Sequence, residues 1–207
     1  MVIGNHTAYT SQMQNDSPSI SGRVLVFDSG MGGLTVAREI KALAPDLSVD
    51  YAADSGFFPY GDKSDEALQS RIPAVAEALV ANARPDVFVI ACNTASTLAL
   101  PAVRERLDIP VVGTVPAIKP AASLSQTKTI GLLATPGTIR RGYTADLIQD
   151  FANDCRVIMY GSVDLVRLAE QHAAGKPVAL QSFRDAQAPL FQQPGSENID
   201  TVILACT

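Results

Sequence analysis

The sequence predicts an α/β fold of two similar, open, mainly parallel-sheet domains related by pseudo-symmetry, the second incomplete at its C-terminus. Three observations carry this. Apolar runs with β-branched residues and no polar alternation, such as Val87-Phe-Val-Ile-Ala91 and Val202-Ile-Leu-Ala205, read as strands buried in a parallel sheet. These two runs share a register, since Asp86 precedes Cys92 by the same spacing that separates Asp200 from Cys206. A strand, small-residue turn and helix near Val24 also returns near Thr129.

Residues 1–22 are rich in Ser, Asn, Gln, Thr and Gly without a period and read as a flexible extension. A first domain then spans 23–115. Val24–Phe27 is its first buried strand, followed by the turn Asp28-Ser-Gly-Met-Gly-Gly33 and a helix over Leu34–Leu43. Glycines permit a tight turn and a close backbone approach by a ligand. The spacing is not G-x-G-x-x-G, so a dinucleotide fingerprint is absent. Val49–Ala53 is a second strand, ending in Asp54-Ser55 and the turn Phe58-Pro-Tyr-Gly61. A helix follows over Ser64–Ala83, with Asp65 and Glu66 suited to its first turn. After strand 86–92, Asn93 and Thr94 are expected as helix N-caps, with helix over Ala95–Leu100. Pro110–Val115 is a further short strand.

A second domain spans 116–207. Thr129–Ala134 is a strand, Thr135-Pro-Gly-Thr138 a turn, and a helix begins near Ile139. Gly175–Pro177 and Gln192–Glu197 read as loops. A last strand without a covering helix is unusual for a parallel sheet. Thr207 is therefore not expected to be the natural end.

With 207 residues, 47% hydrophobic and 18% charged, the chain can bury a sizeable core. A net charge of -5 argues against a broad nucleic-acid footprint, which needs a basic face. Arg140 and Arg141 read as a solvated helix edge rather than a phosphate clamp. No apolar run approaches the about 18 residues of a membrane helix, and no secretory leader pattern opens the chain. Three cysteines, an odd number with two at strand ends, fit a reducing compartment, and the cytoplasm is the expected location.

Chemistry concentrates at Cys92 and Cys206. A lone free cysteine is most often a small buried hydrophobe, and Cys155 is read that way. Two thiols in matching registers, each at the carboxyl end of a strand where open α/β sheets bind ligands, point to a site instead. A helix N-terminus behind Cys92 is expected to lower its pKa. His6 and His172 lack a catalytic setting, no cluster has metal-ligand spacing, and no lysine has a pyridoxal setting.

The segments Val26–Thr35, Pro59–Gly61, Ala91–Ser96, Gly131–Thr138 and Leu204–Thr207 resemble, in order and spacing, the signatures of glutamate racemase. The likeness runs from about residue 23 to the end. It implies interconversion of L- and D-glutamate without cofactor, supplying D-glutamate for peptidoglycan. It further implies two domains enclosing the substrate. Cys92 and Cys206 form the acid/base pair, and Asp28 assists Cys92. Asp28, Ser29, Tyr60, Gly61, Asn93, Thr94 and Thr207 bind substrate. The family continues the Cys-Thr pair with a histidine, and the sequence stops before it. Some relatives with an N-terminal extension are activated by a peptidoglycan precursor, an expectation that residues 1–22 carry here. A homodimer stays open.

The chemistry agrees with this resemblance. Racemisation removes a weakly acidic Cα proton and returns one to the opposite face, and thiols can act as acid or base. Competing readings are a racemase for aspartate or another acidic amino acid, and an inactive glutamate-binding or interaction protein. A nucleotide-binding domain built on the Asp28–Gly33 turn is a third.

Overall fold

The structure, a computed structural model, describes residues 21–206. The expected extension therefore lies outside it apart from Ser21 and Gly22, as does Thr207. The first domain runs β1 (Arg23–Asp28), α1 (Leu34–Leu43), β2 (Ser48–Ala53), α2 (Asp65–Ala83), β3 (Val87–Ile90), α3 (Asn93–Arg106) and β4 (Val111–Gly113). The second runs α4 (Ile118–Leu124), β5 (Thr129–Ala134), α5 (Pro136–Arg140), α6 (Gly142–Phe151), β6 (Arg156–Gly161), α7 (Val163–Ala173), α8 (Leu180–Gln187) and β7 (Thr201–Ala205).

Both sheets are parallel throughout. The first has the order β2-β1-β3-β4 and the second β6-β5-β7. Setting β1 on β5, β2 on β6 and β3 on β7 relates the two, and β4 has no counterpart among the described strands. Each chain path pairs its first strand on one side, then crosses to the other, which makes a switch point. At a switch point the carboxyl ends of two neighbouring strands splay and leave a crevice for ligand. In the first sheet that crevice lies between Asp28 and Cys92; in the second it lies between Thr135 and Cys206.

Burial follows the sheet positions. β1 and β5 are central, and from Val24 to Asp28 and from Thr129 to Ala134 every residue is buried. Phe27, Phe88, Ile90, Leu68 and Ile72 form the first core, with Phe27 and Phe88 stacked at 5.9 Å. Ile130, Leu132 and Ile203 anchor the second with Ile118 beneath them.

Three expectations change here. The helix after Cys92 starts at Asn93 and continues past Pro101 to Arg106. Cys92 takes the N-cap position, and Asn93 and Thr94 lie within the first turn. Pro101 removes one N–H, yet Ala95, Ala99, Leu100 and Val103 form a continuous buried face, and that packing outweighs the lost bond. The helix near Ile139 divides at Arg141 into α5 and α6. Strand β6, opening on Arg156, was not foreseen, since its pattern of exposed and buried residues is irregular.

Candidate active site

The β1 carboxyl end supplies a buried carboxylate. Asp28 Oδ1 accepts the Gly30 N–H at 3.1 Å and the Ser29 hydroxyl at 3.3 Å. Ser29 Oγ also lies 3.7 Å from Cys92 Sγ. With the Ser29 proton given to the carboxylate, the Cys92 S–H is the donor in that contact. Carboxylate, hydroxyl and thiol thus form a line across the β1–β3 crevice. Tyr51, within β2, donates to the Gly30 carbonyl at 2.6 Å and fixes the same turn.

Cys92 is 4% exposed, and burial pushes its thiol up to about 12, with the Asp28 charge adding to the effect. The Ala95 amide and the Ser29 donors pull downward and lose. The expected lowering is thus reversed. A helix N-terminus contributes a partial charge, whereas removing an anion from water beside a carboxylate costs more. Cys206, one residue beyond β7, is half-buried and unbridged. Its pKa is also raised, by burial first, then by Cys92, Asp28 and Glu170. The thiols and Asp28 therefore share one electrostatic environment.

Hydroxyls line the seam between the domains. Thr94 Oγ1 lies 3.0 Å from Thr135 Oγ1 and 3.4 Å from Thr138 Oγ1, and the last two are 3.0 Å apart. Asn93 is buried, and its Oδ1 has no partner among the described residues. Such an acceptor costs free energy until something donates to it. Gly61 presses its backbone against Thr135, where a Cβ would fall 3.2 Å from the hydroxyl and closer still to the methyl carbon. Tyr60 is buried, but its hydroxyl donates to Asp54 at 2.7 Å. Asp54 is in turn gripped by both arms of Arg71, which holds its carboxyl below the usual range. Tyr60 thereby anchors the loop that sets Gly61 against Thr135.

Asp28, Ser29, Cys92, Asn93, Thr94, Tyr60, Gly61 and Cys206 are thus gathered around the crevices, and Thr207 lies outside the described residues. Sequence reasoning missed Thr138 and Glu170 and treated Thr135 only as a turn residue. Glu170, on α7, accepts the Met31 N–H, and a Cβ on Gly30 would strike its carboxylate. Thr138 was signalled by the Thr-Pro-Gly-Thr turn; Glu170 had no local signal. Arg141 is corrected from a solvated edge to a buried residue at 8% exposure, while Arg140 is exposed as expected. Cys155 packs at the edge of the second core, in keeping with its structural reading.

The family model for Asp/Glu/Hydantoin racemase matches residues 33–207. The chain belongs to the Asp/Glu/hydantoin racemase family. This racemase-family chain is 50% identical over 184 residues to the glutamate racemase of Pasteurella multocida, covering 89% of itself and 67% of that protein. Against the glutamate racemase of Escherichia coli O139:H28 the identity is again 50%, over 89% of this chain and 64% of that one. It thus spans about two thirds of the length of the curated relatives it matches. Its class is that of those relatives, the isomerases. The Escherichia coli glutamate racemase solved with L-glutamate and the activator UDP-MurNAc-Ala aligns with a TM-score of 0.83 and 48% identity, over 90% of this chain and 70% of that one. The Francisella tularensis enzyme with D-glutamate aligns with a TM-score of 0.71 and 28% identity, over 89% and 68%. An aspartate racemase from Picrophilus torridus, at 17% identity and a TM-score of 0.54, shares the fold.

Proposed function

We propose that the chain carries the catalytic core of a glutamate racemase, interconverting L- and D-glutamate with two thiols and no cofactor. The observation that carries this reading is the placement of Cys92 and Cys206 at equivalent strand ends, each titrating under the influence of Asp28. Half identity to glutamate racemases supports glutamate over aspartate as substrate.

Both thiols are held protonated, so each is ready as an acid, and either becomes a strong base once ionised. The line from Cys92 through Ser29 to Asp28 offers a way to ionise without adding charge. The S–H proton passes to the Ser29 oxygen as the Ser29 proton passes to Asp28. A carboxylate and a thiol then become a carboxylic acid and a thiolate, and the buried charge stays at one. An arriving substrate ammonium favours the thiolate further. Cys92 takes the Cα proton from D-glutamate while Cys206 protonates the opposite face, and the roles exchange for L-glutamate. Asn93, Thr94, Thr135 and Thr138 supply hydroxyl, amide and backbone groups that hold the carboxylates and the developing negative charge. Thr207 and Glu170 complete the proposed set, Glu170 as a carboxylate facing the substrate ammonium.

The reading extends to supply of D-glutamate for peptidoglycan in the cytoplasm. Among the described residues, no helix is long and apolar enough to cross a membrane. Activation by a peptidoglycan precursor belongs to the same reading, because the Escherichia coli relative was solved with such an activator. The test is turnover of each enantiomer by the full-length protein in heavy water. Early product should carry deuterium while recovered substrate does not. Equal early deuteration of both would mean one base serving both faces and would remove the paired roles.

A further inference from the structure

The basic pair Arg140-Arg141 is not absorbed by the proposed chemistry, and its second member is placed in an unusual way. Arg141 interrupts the α5–α6 helix with extended backbone, φ -80 and ψ 141, and occupies the N-cap position of α6. Ser, Thr, Asn or Asp would be favoured there, and a cation is disfavoured at a helix N-terminus. Its side chain makes no cap hydrogen bond. Instead it leaves its own domain. Nη1 donates to the Thr94 carbonyl at 2.9 Å and to Thr97 Oγ1 at 3.2 Å, and Nη2 donates to Asp65 Oδ1 at 2.8 Å. All three acceptors belong to the first domain, two on α3 and one in the first turn of α2.

Local helix electrostatics do not account for this position, but the crossing of the seam does. The guanidinium rests against Gly137, where a Cβ would lie 3.1 Å from Nη2. Thr144 Oγ1 donates to the Thr138 carbonyl at 2.6 Å and ties α6 back to α5, so the fork has a firm base. On the far side, the first turn of α3 carries Asn93 and Thr94 and follows directly on Cys92. The same turn meets Thr135 and Thr138 through Thr94 Oγ1. A single planar fork thus fastens the Cys92-bearing turn to the threonine turn of the opposite domain.

We propose that Arg141 is a positioning residue that holds the two domains closed over the site, setting Cys92, Asn93 and Thr94 against the second domain. A lysine in its place could reach one acceptor at a time, so the fork geometry as well as the charge is used. The proposal rests on the racemase reading only where D-glutamate is used, in the protection and turnover measurements.

The experiment follows alkylation of Cys92 by iodoacetamide in the full-length protein, read by mass spectrometry with Cys155 as internal reference. Arg141→Gln should raise the Cys92 rate by about tenfold or more, the worth of one charge-assisted hydrogen bond, while Cys155 is unchanged. Saturating D-glutamate should restore protection, and KM should rise by a larger factor than kcat falls, because substrate binding then supplies the closure. Arg141→Lys should fall between wild type and Gln, and it carries the same readouts if the Gln variant does not fold. Rates at Cys92 and Cys155 that rise together would indicate general loosening and overturn the proposal, as would no rise at Cys92. Selective opening of Cys92 in a protein without racemase activity would uphold the clamp and remove the function reading instead.

Discussion

In the first domain, the strand that delivers the thiol has a partner on each side, and Ile90, two residues before Cys92, is fully buried. In the second domain, Leu204, two residues before Cys206, is 72% exposed on a strand paired on one side only among those described. The registers are otherwise alike. Val89 and Ile203 are buried, Ala91 and Ala205 are buried, and each cysteine follows the alanine directly. The turns beside them differ as well. Asp28 and Ser29 stand where the second domain has Ala134 and Thr135, so only the first thiol has a carboxylate from its own sheet. The lesson is that strand register decides where each thiol goes, whereas the surrounding cover decides how it titrates and what reaches it.

The largest expected effect removes one thiol at a time. Cys92→Ala and Cys206→Ala should each lower racemisation by about 10²–10⁴-fold, the usual worth of a positioned acid or base. The comparison sharpens if each variant still exchanges the α-proton of one enantiomer: L-glutamate for Cys92→Ala and D-glutamate for Cys206→Ala. Proton NMR in heavy water reads this. Exchange of both enantiomers by one variant would break the assignment of one thiol to each face.

Much of this arrangement was legible in the sequence. The run ending at Cys92 is apolar because its strand lies inside the sheet and is covered. The run ending at Cys206 leaves the same apolar signal, although its strand is paired on one side among those described, with Val202 and Leu204 exposed. The Asp28–Gly33 turn was visible because Gly30 must admit Glu170 and Phe58 so closely. Glu170 itself was invisible, since its partner Met31 lies 139 residues away and its own helix is ordinarily charged. Arg141 was misread for the same reason, its acceptors on α3 being 44 and 47 residues distant. The direction of the Cys92 shift failed differently. The helix dipole could be inferred from sequence, but the burial that overrules it could not.

A second effect tests the cover itself. Ile90→Ala should cost about 2–5 kcal/mol, as truncation of a buried aliphatic side chain does. Leu204→Ala, at the equivalent position, should stay within about 0.5 kcal/mol in this 207-residue chain, because the removed atoms already meet water. Urea unfolding of the two variants measures the gap. Similar costs would mean that Leu204 is covered in solution and that the two faces are more alike than they stand here.

The smallest effect concerns alkaline pH. In the unfolded chain a cysteine ionises near pH 8.5, whereas Cys92 in the folded protein is held up to about 12. Between these values the unfolded state has lost a proton that the folded state keeps. Stability is therefore full below the unfolded value and falls as pH rises, by up to about 1.4 kcal/mol per pH unit for one group. The groups opposing the Cys92 thiolate are burial and the Asp28 carboxylate, and Cys206 shares both causes. Cys206 is half-buried, however, so solvent screening weakens its share. Cys92→Ala should consequently flatten the fall in stability between about pH 8.5 and 10 more than Cys206→Ala does, a window that ends where tyrosines begin to ionise. Chemical denaturation at half-unit pH steps provides the slopes. Equal flattening by the two variants would show that the unequal cover of the thiols does not reach their titration, and an unaltered slope in Cys92→Ala would place the folded-state thiol near its ordinary pKa.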